Sequence, residues 1–211
     1  MTRAFAAVVL LLLTQSLWGQ DQTRTRSSGL LAVVSPDDPH PLTNRQRQLL
    51  FRRAVFGPGI AFATLGAAVG RQLTDQPPDW EQGTSGYARR VADTYGQFLI
   101  QGSVHAGAAA AIGHDPRYVL CPCKGTWKRL AWSAMLGSFV ARDRDGDLTF
   151  AYARVGSVYA GTMGAMGLWW PDRYSPLKDG FREGSQSLAF QGLFNVFKEF
   201  EPEIRRIYRR K

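Results

Sequence analysis

Cysteine, histidine and acid are all scarce in this chain, and each scarcity narrows what it can do. The 211 residues include 2 Cys, 3 His and 17 acidic residues, against 26 Lys and Arg. Two Cys cannot build a multi-bridge disulfide scaffold. No G-x-S-x-G turn marks a nucleophile, no nucleic-acid-binding motif is present, and no series of alternating runs reads as strands. The shortage of acid leaves a formal charge of +9. An excess of that size suits a polyanionic neighbour, such as anionic lipid or an envelope polymer.

The start of the chain, "MTRAFAAVVLLLLTQSLWGQ", combines a single cation, Arg3, with a short apolar core and a polar exit. This is the layout of a secretory signal peptide, with cleavage expected after Gly19. The apolar run falls short of the roughly 18 residues a permanent anchor needs. Export in turn argues against nucleic acid as the partner. Residues 20–42 are rich in Ser, Thr, Asp and Pro and read as a flexible leader, with a short apolar patch at 30–34. Residues 43–211 form one helical domain with a basic tail.

Five helical segments are expected, and the fold class is all-α. The first follows Thr43, a plausible N-cap, and carries Leu49, Leu50, Val55 and Phe56. "GPG" at 57–59 breaks it before it resumes and stops ahead of Pro77 and Pro78. A second helix is capped by Thr84 or Ser85 and runs to Gly113. Tyr87, Val91, Tyr95, Phe98, Gly102, His105, Ala109 and Ile112 recur there as one buried stripe. His105 on that stripe is expected to be packed and neutral. A third helix is capped by Thr126. Then "ARDRDGDLTF" makes a polar turn whose Gly146 falls one place early for a calcium loop. A fourth helix follows Thr149. A fifth begins near Ser185, and Pro202 is expected to kink or end it.

Small residues recur four apart in three of these helices: Gly66 and Gly70; Gly102, Ala106 and Ala110; Ala153, Ser157 and Gly161. Glycine costs a helix roughly 1 kcal/mol against alanine, so close backbone packing is the expected return, as in a Gly/Ala-rich bundle. Such faces also offer a route to a homo-oligomer. The uncharged runs at 54–70, 94–113 and 155–171 approach the roughly 20 residues of a bilayer span. They also hold Gln97, Gln101, His105 and Thr162, so a bundle packed in water and one set in a membrane both fit.

The stretch "AAAAIGHDPRYVLCPC" concentrates reactive side chains at a helix end. Gly113 suits a left-handed C-cap, His114 lies beside the carbonyl end, and Asp115-Pro116 is a turn pair. Arg117 can return a bidentate bond to a carboxylate. Zinc would need His114, Cys121 and Cys123 with His105, but C-x-C is not the usual ligand spacing. An acid–base pair of His114 and Asp115 would need adjacent side chains to face one target. No metal and no cofactor are expected. A Cys-Pro-Cys bridge would close a very small ring, easily reduced and of little value to stability.

Several stretches taken together resemble a family of uncharacterised exported bacterial proteins. They are "WEQGTSGYARR" (Trp80, Gly83, Gly86, Tyr87, Arg90), "HDPRY" (His114 to Tyr118), "LTFAYARVG" (Thr149, Phe150, Arg154, Gly156), "WWP" (Trp170, Pro171) and "NVFKEFEPEIRR" (Asn195, Glu199, Phe200, Pro202, Ile204). The resemblance implies export and helical character and brings no reaction with it. "CPCKG" departs from the family pattern, so the cysteines are not the shared site.

The expected function is that of an exported, non-enzymatic envelope protein associated with a membrane or an anionic surface, in the periplasm or envelope membrane. An enzyme using His114, Asp115 and Arg117 on an envelope lipid or polymer is one alternative. A small-amphiphile binder lined by Trp80, Tyr87, Trp127 and Trp170 is another. Candidate binding residues are His114, Asp115, Arg117, Tyr118, Trp80, Tyr87, Arg90 and Trp170. The cations Arg205, Arg206, Arg209, Arg210 and Lys211, with Ile204, Ile207 and Tyr208 among them, make an amphipathic end suited to an anionic surface.

Overall fold

The computed structural model of the chain describes residues 33–34 and 42–209, with side chains described for all of these but 202 and 205–209. The expected signal peptide, most of the leader, Arg210 and Lys211 lie outside the described residues. Helices α1 (Asn44–Phe56), α2 (Pro58–Leu73), α3 (Thr84–Ile112), α4 (Thr126–Ala131), α5 (Tyr152–Leu168) and α6 (Lys178–Arg209) form a mostly helical bundle. Strands β1 (Val33–Val34), β2 (Tyr118–Val119), β3 (Val140–Arg142) and β4 (Leu148–Phe150) are minor additions.

Local chemistry sets several boundaries where the sequence places them. Thr43 caps α1 reciprocally: its hydroxyl accepts the Gln46 N–H, and the Gln46 amide oxygen accepts the Thr43 N–H at 2.9 Å. Gly57 is extended and ends α1, and Pro58 opens α2, where its missing N–H costs nothing. Gly113 closes α3 in the left-handed region at φ 79°.

Other boundaries differ from expectation. The polar turn at 141–150 is a β-hairpin, pairing Val140 with Phe150 and Arg142 with Leu148. Strands of three residues are too short to show alternation. The leader patch is not wholly loose, because β1 pairs in parallel with β2, Val33 opposite Tyr118. Helix α3 begins after Gly83 rather than after a Thr or Ser cap. Helix α6 begins seven positions before Ser185, where Ser175 accepts the Lys178 N–H and Asp179 accepts the Ser175 N–H.

Nor does Pro202 end α6. Arg129 bridges the helix on both sides of the proline, bonding the Glu199 carboxylate at 2.8 Å, the Glu199 carbonyl at 2.6 Å and Glu203 at 2.6 Å. That splint holds the turn where the proline removes a helical hydrogen bond. After α4 the chain widens into a single π-helical turn, Trp132–Leu136. Gly192 of α6 lies against the Ala134 carbonyl there, where a side chain would collide.

Glycines bring the central helices together. A methyl group on Gly161 of α5 would stand 2.9 Å from the Gln97 carbonyl of α3, and one on Gly102 would stand 2.8 Å from Val55. The stripe expected to be buried on α3 is not its deepest face. Ala109 of the stripe is buried, but the other buried positions are Gly86, Arg90, Asp93, Thr94 and Gln97, and Ile112 is exposed. Arg90, Asp93 and Gln97 are paired polar groups on this face, so apolar periodicity points to a neighbouring one.

Candidate functional site

Two buried carboxylates organise the polar interior. Asp93 of α3 accepts the indole N–H groups of Trp169 at 2.7 Å and Trp170 at 2.8 Å on one oxygen. Its other oxygen takes Gln97 at 2.9 Å and Arg71 of α2, which also holds Glu183 of α6. Helices α2 and α3 and the segment after α5 therefore meet at one carboxylate, and Arg71 extends the junction to α6. Trp170 in turn packs edge-on against Trp80 at 5.5 Å.

Arg90 lies one turn earlier on α3 and is fully buried, at 0% exposure. Its five N–H donors go to the carbonyls of Gln76, Pro77 and Glu81 and to the side chains of Gln72 and Asp75. That is the whole capacity of a guanidinium, so Arg90 holds the 75–81 loop. Gly86 is required beside it, since a methyl there would stand 2.5 Å from the Trp80 carbonyl and 2.9 Å from the Arg90 guanidinium.

Glu199 of α6 is the second carboxylate. It accepts the Tyr118 hydroxyl at 3.2 Å, the Cys121 backbone N–H at 3.0 Å and Arg129 at 2.8 Å. Burial and the Glu199 charge push the Tyr118 phenol well above its ordinary range. Asp115 and Arg117 form a forked pair at 2.7–3.1 Å. Arg154 of α5 donates to the carbonyls of Gly137, Val140 and Arg117 at 2.8–3.0 Å. It ties the π-helical turn and the hairpin to the Asp115–Arg117 turn, and burial lowers its pKa to about 10. Lys198, with its ammonium 5.7 Å from the Tyr118 ring, is lowered to about 8 by burial and by Arg154. His105 is lowered to about 4, chiefly by burial and then by Arg154, Lys198 and His114. The neutral, packed histidine expected from the stripe is what this environment favours.

The sequence-selected residues thus divide between two places. Tyr118 bonds Glu199 and follows His114, Asp115 and Arg117 in the same segment, while Trp80 packs on Trp170 beside Asp93 and Arg90 lies one turn before it on α3. Tyr87 donates its hydroxyl to the Leu65 carbonyl at 3.3 Å. His114 is buried with its backbone oxygen accepting from Arg47 at 2.8 Å, and its Nδ1 has no hydrogen-bond partner. Arg205, Arg206 and Arg209 fall within α6, but their side chains are outside the described residues.

Asp93, Arg71, Glu183 and Arg129 escaped sequence reasoning. One signal was available: Asp93 is the last charge before the uncharged run at 94–113, and a buried acid in such a place needs partners. Asp93 accepts four donors and Glu199 three, so each carboxylate fastens together the elements its donors come from. Cys121 and Cys123 form a disulfide. Among the described residues, no group of three or more His, Cys, Asp or Glu could hold a metal ion. Compared with family models, curated proteins and solved structures, the chain matches none of them.

Proposed function

We propose that this protein is exported and acts as a non-enzymatic component of the cell envelope, its bundle held against an anionic membrane surface. The observation that carries this reading is the outer face of α1 and α2. Phe56, Leu65, Val69 and Leu73 stand exposed, Phe56 at 66% and Leu73 at 79%. Arg45 and Arg52 are exposed on α1, Arg52 beside Phe56. An open groove of about 560 Å³ lined by Leu49, Arg52, Arg53, Phe56 and Gly57 joins apolar walls to guanidinium groups, the pairing that an anionic lipid presents in reverse. The stretch Asn44–Leu73 is also apolar and long enough to cross a bilayer, with mean hydropathy 1.3 in its richest window, only 22% of it buried. Because Gly57 interrupts it, two helices lying on the surface suit it better than one span.

Burying each large apolar side chain of this face stabilises association by about 1.5–3 kcal/mol. Each nearby cation adds on the order of 1 kcal/mol, which salt weakens. The signal-like residues 1–19, the family resemblance and the disulfide are what support export. The enzyme alternative draws less support, because Asp115 and Arg117 are occupied by each other. A homo-oligomer is supported at Gly66 and Gly70, which face open space while Gly102 and Gly161 are used inside the bundle.

Co-sedimentation of the purified protein with vesicles tests the reading. Phosphatidylglycerol vesicles should retain it at low salt and phosphatidylcholine vesicles should not. Arg45→Glu with Arg52→Glu, or Phe56→Ser with Leu73→Ser, should release it, and Arg205, Arg206, Arg209, Arg210 and Lys211 changed to Gln should lower the salt dependence. Equal binding to both vesicle types overturns the reading, and so does retention by anionic polymer alone.

A further inference from the structure

The Cys121–Cys123 bridge does little that a structural disulfide usually does. It spans two positions, so it closes a loop far too short to remove much entropy from the unfolded chain. The loop it sits in is already anchored through the Cys121 backbone N–H on Glu199, a bond that needs no sulfur. Its two sulfurs, moreover, are presented unequally. Cys121 is buried, whereas Cys123 is half-exposed, preceded by exposed Pro122 and followed by exposed Lys124 and Lys128. The Cys123 N–H donates to the Cys121 sulfur at 3.3 Å. Trp127 stands four residues beyond Cys123 at 81% exposure, an apolar surface beside the bridge.

We infer that this bridge is a thiol–disulfide exchange site that oxidises a dithiol in an unfolded polypeptide. Reachable sulfur, nearby positive charge and a stabilised leaving group are what such exchange requires. A substrate thiolate attacks the Cys123 sulfur, which Lys124 favours by attracting the anion. A bond forms between those two sulfurs as the Cys121–Cys123 bond breaks. The electron pair leaves on Cys121, whose thiolate accepts the Cys123 N–H. The substrate's second thiolate then attacks the substrate sulfur of the mixed disulfide and expels the Cys123 thiolate. The substrate loses two electrons and two protons and gains a disulfide, while the protein's cystine becomes two thiols. Trp127 offers the unfolded chain an apolar contact, and the fold persists because Glu199 still holds the loop. The export reading supplies only the compartment, and the chemistry can be tested without it.

The test uses the purified full chain and an unstructured peptide carrying two cysteines, followed in a single turnover. One equivalent of peptide should be oxidised per protein, and none by the Cys121→Ser/Cys123→Ser variant, whose helicity by circular dichroism should match the parent. With oxidised glutathione as probe, Cys123 in the Cys121→Ser variant should form the mixed disulfide at least about tenfold faster than Cys121 in the Cys123→Ser variant. Lys124→Glu should slow peptide oxidation about threefold while leaving helicity unchanged. Unoxidised peptide, or equal glutathione reactivity of the two cysteines, would overturn the inference. Should the double variant lose its helical signal, the bridge is structural, and the inference fails on that result as well.

Discussion

Asp93 and Glu199 occupy opposite kinds of junction. Both are nearly inaccessible, both pair with an arginine, and both accept further neutral donors. At Asp93 every donor is a side chain, drawn from α2, α3 and the tryptophans after α5. At Glu199 the donors include the backbone N–H of Cys121, and Tyr118 and Cys121 both belong to the segment between α3 and α4. Asp93 joins two helices and the segment after α5 through side chains alone; Glu199 joins α4 and a connecting segment to α6, partly through a backbone N–H. A buried charge costs several kcal/mol unless its donors are all in place, so each junction constrains the parts it joins. The first should govern global stability and the second local order.

The comparison breaks most sharply at the charges themselves. Asp93→Ala should cost about 3–5 kcal/mol, read as a large drop in the chemical denaturation midpoint. Glu199→Ala should cost less globally and instead raise amide hydrogen exchange around residues 118–125. If both variants show the same exchange pattern, the division between global and local roles is wrong.

Protonation offers a finer probe. His105 has a folded pKa near 4, below its ordinary value of 6.5. The unfolded chain therefore binds the proton first, and stability contributed by the neutral imidazole is present above about pH 6.5. It is lost progressively as the pH falls towards 4. His105→Leu should fold at neutral pH and flatten that part of the stability profile, measured by urea denaturation at each pH. An unchanged slope would place the acid sensitivity elsewhere.

The smallest expected effect is at the phenol. Tyr118→Phe removes one of three donors to Glu199 and should cost about 1 kcal/mol, with the loop still anchored by Cys121. A thermal midpoint lowered as far as in Glu199→Ala would show that the hydroxyl, not the backbone donor, fastens the segment.

Much of the helical frame was legible in the sequence. Thr43, the break at 57–59 and Gly113 are local signals, decided by capping and backbone conformation within a few residues. The hairpin and the true start of α6 were not read, because three-residue strands and a Ser175 cap hide within ordinary loop composition. The polar face of α3 was missed for a deeper reason. Periodicity assumes that apolar residues face inward, whereas here Arg90, Asp93 and Gln97 are buried while Leu65, Leu73 and Phe190 are exposed. Among the site residues, Asp115-Pro116 was read as a turn pair and Arg117 as able to fork onto a carboxylate, which the structure gives as Asp115. Arg154, which bonds the Arg117 carbonyl, and Glu199, which bonds Tyr118, come from distant helices, and no spacing rule brings such residues together.

The parallel pairing of β1 with β2 has a consequence for the order of assembly. Val33 is among the first described residues to be synthesised, yet its partner Tyr118 comes 85 positions later, counting from 33 to 118. Contacts so remote in sequence form slowly, since a long loop must close before they are rewarded. A chain emerging from its N-terminal end must therefore keep this strand unpaired while α1, α2 and α3 are made. The first-made strand therefore waits through three helices before its partner exists, and it is a late-fitted latch on the segment that follows α3.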